Sequence, residues 1–180
     1  GTVHVDGVKR FNALEISHEG RVISRYSKRE LPNYSVFDER RTFLRGKTPL
    51  DLVEIAGIRV GFVICEDAWA KNSVCNELSK GGAELIVVIN ASPYASGRID
   101  ERREIISQRV EETGCAFAYV NLIGGQDELV FDGGSFVIDA DGNVVAQAGQ
   151  FNEQLLICDL EVKEADQVKA VSLPLHEVSE

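Results

Sequence analysis

A cysteine at the end of an apolar run is the residue best placed to do chemistry. Cys65 follows Val60-Gly61-Phe62-Val63-Ile64 and precedes an acidic pair, Glu66 and Asp67, so its thiol is expected at the mouth of a buried strand. A thiol is a nucleophile only as the thiolate, which a nearby cation or base favours. Glu66 and Asp67 act in the opposite sense if they come close, and strand alternation would send Glu66 to the face opposite Cys65. The cation has to come from elsewhere. Lys28 is the candidate, because it ends a strand-like stretch at the start of a long polar segment, Tyr26-Ser27-Lys28-Arg29-Glu30-Leu31-Pro32. Taken singly, both residues have plainer readings: a cysteine beside an apolar run is commonly inert core, and a lysine beside an arginine is commonly solvated.

The elements that must position these residues can be read from periodicity. Phe11 to Ser17 and Arg21 to Tyr26 alternate around His18-Glu19-Gly20, which predicts a hairpin. A polar segment, Lys28 to Pro49, is long for a plain connection, and such loops are often functional. Leu52 to Ile55 and Arg59 to Ile64 flank Ala56-Gly57 as a second hairpin, and the apolar run ending at Ile64 predicts burial on both faces. Beyond it, Ser73 to Lys80 reads as a helix and Glu84 to Asn90 as a buried strand. Arg98 to Thr113 reads as a helix with Ile99, Ile106 and Val110 on its apolar stripe, stopped by Gly114. Cys115 to Leu122 is a further strand, Ser135 to Ala148 a hairpin about Asp141-Gly142, and Leu155 to Leu160 a last strand before an acidic tail. This order predicts an α/β layered domain with a mixed sheet, whose ligands collect at the carboxyl ends of the strands. That rule selects Cys65-Glu66-Asp67, Asn90 to Tyr94, and Asn121 to Gln126.

Composition excludes several alternatives. The chain has 180 residues, 44% hydrophobic and 27% charged, an ordinary globular balance that suits one domain. With 19 Lys+Arg against 29 Asp+Glu the net charge is −10, so nucleic acid is not an expected partner. No apolar run approaches the about eighteen residues that a membrane helix needs, and a soluble protein is expected. The four cysteines are widely spaced, with no Cys-x-x-Cys pair, and His4, His18 and His176 are scattered. A metal site and a disulfide framework are both disfavoured, and a reducing cytoplasm is expected. The absence of Met suggests that Gly1 marks a processing boundary within something longer. Asp139-Ala140-Asp141-Gly142-Asn143 imitates the opening of a calcium loop, but Gln150 stands at its twelfth position and strand-like residues flank it, so a hairpin is the better reading.

Taken together, the motifs point further. Tyr26-x-Lys28-x-x-Leu31-Pro32, then Cys65-Glu66-Asp67, then Asn90-Ala91-Ser92-Pro93-Tyr94 resemble the carbon-nitrogen hydrolase (nitrilase) superfamily. More narrowly, Leu31-Pro32-Asn33-Tyr34 with Val36-Phe37-Asp38-Glu39, and the Gly-rich run from Asn121 to Phe136, are similar to the glutaminase domains of glutamine-dependent NAD+ synthetases. The similarity runs to about Leu160, with four motifs in the family's order. It implies a nitrilase-like αββα sandwich, partial here, with a mixed sheet, helices outside and the earliest elements missing. Residues 1–160 would form the hydrolase domain and 161–180 an acidic tail or linker.

The resemblance also implies roles. Cys65 matches the family's nucleophile and Lys28 its lysine, whereas nothing matches the motif of its general-base Glu. Tyr34, Ser92 and Arg98 match positions that bind glutamine; alone they would read as a packing aromatic, a turn residue and a solvated helix residue. Glu39 matches an accessory Glu near the lysine. The Gly-rich run is expected to form a pocket or interdomain wall, or simply a solvent-facing turn. The implied activity is release of ammonia from L-glutamine through a Cys65 thioester, with no cofactor in this domain. The ammonia would feed a separate synthetase domain, using ATP and Mg, that amidates deamido-NAD+. The fragment alone is expected to be weak or inactive, and a homo-oligomer is expected. Two other readings remain open: a stand-alone amidase of the same superfamily, and a non-catalytic oligomerising module.

Overall fold

The all-apolar stretches find the double burial they require. The computed structural model describes residues 1–47, 49–71, 73–164 and 171–178. Strands β1 (Thr2–Asp6), β2 (Lys9–His18) and β3 (Arg21–Ser27) form an antiparallel three-stranded sheet in that order. The remaining strands are β4 (Leu52–Ile55), β5 (Ile58–Ile64), β6 (Leu85–Asn90), β7 (Ala116–Asn121), β8 (Ile123–Gln126), β9 (Leu129–Asp132), β10 (Phe136–Ile138), β11 (Val144–Gln147) and β12 (Leu175–Val178). Seven of them make the main sheet, ordered β11-β10-β7-β6-β5-β4-β12, with β8 and β9 paired as a separate hairpin. At its centre β5, β6 and β7 run parallel, while β4 and β10 are antiparallel to their neighbours β5 and β7.

Three helices, α1 (Glu66–Trp69), α2 (Val74–Lys80) and α3 (Arg98–Thr113), lie on one face of the main sheet. Gly61 permits the closest approach there, since a Cβ at that position would come within 2.8 Å of Leu78 on α2. Ile86, Val88, Phe117 and Tyr119 project to the same face and are almost wholly buried. On the opposite face β2 packs against β5, and Leu14 and Tyr26 join the core from the smaller sheet. The layers are therefore helices, mixed sheet, second sheet, as expected for a partial sandwich.

Both ends of α3 fall where the sequence places them, because Gly97 and Gly114 adopt the left-handed conformation at its boundaries. Other elements differ from expectation. The first strand, β1, precedes the predicted hairpin, and the Gly-rich run folds as the β8–β9 hairpin. Leu155 to Leu160 form no strand: the segment has strand-like residues but no paired neighbour among the described residues, and Leu155 and Ile157 are exposed. The last sheet strand is instead β12, from the stretch expected to be a tail. It pairs in parallel with β4, Leu173 packs on the core just before it, and His176 meets Asp51 at 3.1 Å.

Candidate active site

Strand β5 ends abruptly at Cys65, whose backbone has φ 44° and ψ −102°, a positive-φ conformation that is strained for a side chain with a Cβ. Its N–H donates to Ile89 O at 3.0 Å and its carbonyl accepts from Ala68 N at 2.9 Å, so the turn is held from both sides. Because the chain turns into α1 here, alternation stops. Glu66 does not go to the opposite face but lines the same cavity as Cys65. Burial pushes the Cys65 thiol up to about 11; Lys28 pulls it down, and Glu66, Glu39 and Asp67 push it further up.

Lys28, immediately after β3, is 2% exposed. Its Nζ forms an ion pair with Glu39, which lies in a single 3-10 turn, Glu39–Arg41, within the long polar loop. Asn12 Nδ2 donates to the second Glu39 oxygen at 3.2 Å. Burial of a lysine is tolerable only with such a partner. The loop returns to the strand end through Gly46, whose N–H donates to Lys28 O at 2.8 Å. A Cβ on Gly46 would lie 1.9 Å from Ser27 O, so only glycine fits. Lys28, Glu39, Asn12, Asn90 and Cys65 line one cavity of about 440 Å³. The two candidates thus line the same cavity.

Cys65 also opens onto a second cavity, of about 320 Å³, which brings together Tyr34, Ser92 and Arg98 with Glu66 and Glu128. The Tyr34 hydroxyl donates to the Glu66 carboxylate at 3.0 Å, and burial together with that carboxylate pushes its own ionisation up to about 12. Arg98 is the first residue of α3 and pairs with Glu101 at 2.6 Å. Glu128 and Leu129 come from the β8–β9 hairpin, so the Gly-rich run is a pocket wall. The other four residues singled out by sequence converge on Cys65, Lys28 through one cavity and Tyr34, Ser92 and Arg98 through the second.

Sequence reasoning missed the polar groups behind these side chains. Arg102, a charged residue of α3 outside its predicted apolar stripe, is wholly buried. Its Nε donates to Ser92 Oγ at 3.2 Å, its Nη2 to Ser92 O at 2.8 Å, and both Nη atoms engage Asp132 at 2.8 and 2.9 Å. Burial works against ionisation of Asp132, but Arg102 and Gln150 outweigh it and hold the carboxyl below its ordinary value. Asn121 completes the seat of Ser92: its Oδ1 accepts from Ser92 N at 2.9 Å and its Nδ2 donates to Gly133 O at 3.0 Å. The one available signal was spacing, since Arg102 stands four residues before Ile106 on the same helix face.

The site and the layers around it define a class. Residues 4–170 match the carbon-nitrogen hydrolase family, and the chain belongs to that family. It is 46% identical over 169 residues to the glutamine-dependent NAD(+) synthetase of Aquifex aeolicus (strain VF5), covering 94% of this chain and 30% of that protein. The synthetase of the same name from Thermotoga maritima is 43% identical over 162 residues, 89% of this chain and 28% of that one. The chain therefore spans under a third of the length of these relatives. Among solved structures, the glutamine-dependent NAD+ synthetase of Acinetobacter baumannii in complex with ADP superposes with TM-score 0.80 at 37% identity, over 84% of this chain and 29% of that one. An amidase from Nesterenkonia sp. AN1, whose active-site cysteine carries an acrylamide adduct, superposes with TM-score 0.75 at 27% identity, over 85% and 58%. Both levels of the resemblance read from the motifs are borne out.

Proposed function

We propose that this chain is the glutaminase unit of a glutamine-dependent NAD+ synthetase. One observation carries the reading: Cys65 sits between a cavity holding Lys28 and a cavity presenting charges of both signs, Arg98 against Glu66 and Glu128. The first arrangement suits attack on a carbonyl, the second a zwitterionic amino acid. Arg98 would take the substrate carboxylate and the acidic pair its ammonium, while Tyr34 and Ser92 orient the side chain toward the sulfur.

In this mechanism Cys65 Sγ attacks the side-chain amide carbon of glutamine, its proton passing to a base. Lys28 stabilises the developing oxyanion, an electrostatic contribution that grows as water is excluded. Collapse, with the base returning the proton to the leaving nitrogen, expels ammonia and leaves a glutamyl thioester on Cys65, and water then cleaves the carbon–sulfur bond to give glutamate and the free thiol. The high thiol value makes a base necessary. Glu39 has both oxygens engaged, by Lys28 and Asn12, so the 180-residue chain alone should turn over slowly; a general base is commonly worth about 10²–10⁴ in rate.

The ammonia would pass to an ATP- and Mg-dependent synthetase domain of the longer parent, which amidates deamido-NAD+. Four free thiols fit a parent working in a reducing cytoplasm, and exposed Val3, Val5 and Val22 on the outer sheet support a self-associating one. The likeness to the Nesterenkonia amidase supports a second reading, hydrolysis of another amide by the same Cys65 and Lys28. The test is ammonia release by the full-length parent across glutamine, asparagine and simple aliphatic amides, with Cys65→Ala as control. Selective use of glutamine, lost in Cys65→Ala, is expected. Release that survives Cys65→Ala would end the assignment, and preference for aliphatic amides would favour the second reading.

A further inference from the structure

We propose that Asp67 is a positioning residue that clamps the lysine-bearing and cysteine-bearing segments to each other and so fixes Lys28 against Cys65. The proposal rests on reading those two residues as the working pair. Asp67 Oδ1 accepts from the backbone N–H groups of Arg29 at 3.1 Å and Glu30 at 2.8 Å, the two residues that follow Lys28. Its Oδ2 accepts from Ile64 N at 3.3 Å, the residue before Cys65. A single carboxylate thus joins the approaches to both side chains, which lie far apart along the sequence.

The backbone bonds of Lys28 itself do not make this connection. Lys28 N donates to Asn12 O, and Lys28 O accepts from Gly46 N, tying the lysine to β2 and to its own loop. Asp67 ties the backbone beside it to the turn that carries the sulfur, and Tyr34, further along the same loop, reaches that turn through Glu66. The clamp is itself anchored, since Ser73 Oγ donates to Asp67 O at 2.9 Å and α1 fixes the backbone.

The setting is costly for an acid. Asp67 is fully buried, and among the described residues no cation forms an ion pair with it. Burial raises its carboxyl to about 6, against the lowering effect of the backbone donors. The Tyr26 hydroxyl lies beside it and, like the backbone donors, works against that rise. Alignment of the two backbone segments is what a carboxylate provides and an apolar residue does not.

The test reads the reactivity of the Cys65 thiol, not turnover, so its result stands whether or not the natural substrate is glutamine. The charged and titratable groups facing that thiol are Lys28, Glu39, Glu66 and Asp67, with Tyr34 and Tyr119 nearby. The rate of Cys65 alkylation by iodoacetamide is followed against pH in the 180-residue chain by mass spectrometry, with exposed Cys158 as internal standard. Direct electrostatics alone predicts that Asp67→Asn, by deleting a negative charge, lowers the thiol pKa and speeds alkylation. The clamp predicts the reverse: Lys28 disengages, the profile moves up by about one unit, and alkylation near pH 8 slows about tenfold. Asp67→Glu keeps the charge but displaces the oxygens, and the same upward shift is expected; it serves also if the Asn variant does not fold. Lys28→Met should slow alkylation in the wild type and add little to Asp67→Asn. A profile unchanged or shifted downward in the folded variants would overturn the proposal.

Discussion

Replacing Arg102 by Met tests whether the buried polar cluster under Ser92 is what gives the second cavity its shape. Arg102 makes five hydrogen bonds, to Ser92 Oγ, Ser92 O, Pro93 O and both oxygens of Asp132. Methionine keeps much of the volume and removes all of them, leaving Asp132 fully buried with Gln150 Nε2 at 2.6 Å as its remaining side-chain donor. Removing one partner of a buried ion pair costs about 3–5 kcal/mol, mostly because the surviving charge is stranded. In a domain of this size that corresponds to a fall in Tm of about 6–20 °C. Urea unfolding of the 180-residue chain gives the free energy, and differential scanning calorimetry the Tm. The companion variant Arg102→Met/Asp132→Leu removes both charges and should recover most of the loss, since a well-packed apolar pair can match a buried ion pair. A single variant within about 1 kcal/mol of wild type, or a double variant no better than the single, would refute the assignment of the cluster as a charge-dependent support.

Further outcomes follow from other sites. Folded Asp67 holds its proton to about 6 whereas the unfolded carboxyl releases it near 3.8; stability should therefore fall as pH rises through that window, by up to about 3 kcal/mol, and Asp67→Asn should flatten the dependence in urea titrations at fixed pH values. Gly46→Ala should destabilise by about 1–3 kcal/mol in the same assay, because the Cβ would overlap the immovable Ser27 carbonyl. Ser73→Ala removes the side chain that caps α2 through Cys75 N at 3.1 Å, and a loss of about 1 kcal/mol is expected by thermal denaturation. In native-state labelling Cys158 should react first and Cys75, whose thiol burial pushes up to about 12, last.

The parts of the fold that could be read from sequence are those with local determinants. The boundaries of α3, the β4–β5 and β10–β11 hairpins and the parallel central strands each rest on a glycine turn or an apolar run contained within the element. The parts that could not are those decided by a neighbour. Leu155 to Leu160 carries the same pattern as a true strand yet has no paired partner among the described residues, whereas Leu175–Val178, short and polar, becomes a strand because β4 offers an edge. Glu66 escapes the alternation rule because that rule assumes a continuing strand, and the backbone at Cys65 leaves it. Arg102 and Asp132 are hidden in the sequence because a charged residue in a helix or a Gly-rich run looks solvated until its counterpart arrives from elsewhere in the chain. Tyr34, Ser92 and Arg98 are legible only through motif order, since none is chemically distinctive alone.

The left-handed backbone at position 65 sets durability against reactivity. Glycine would relax there at little steric expense, so a Cys65→Gly chain ought to outlast its parent under heat while losing the sulfur altogether. Selection for ruggedness alone would drift toward that replacement. The contortion that presents the thiol to the two cavities is thus a standing tension in the molecule, and under the proposed role of Cys65 it falls where bond-making would happen.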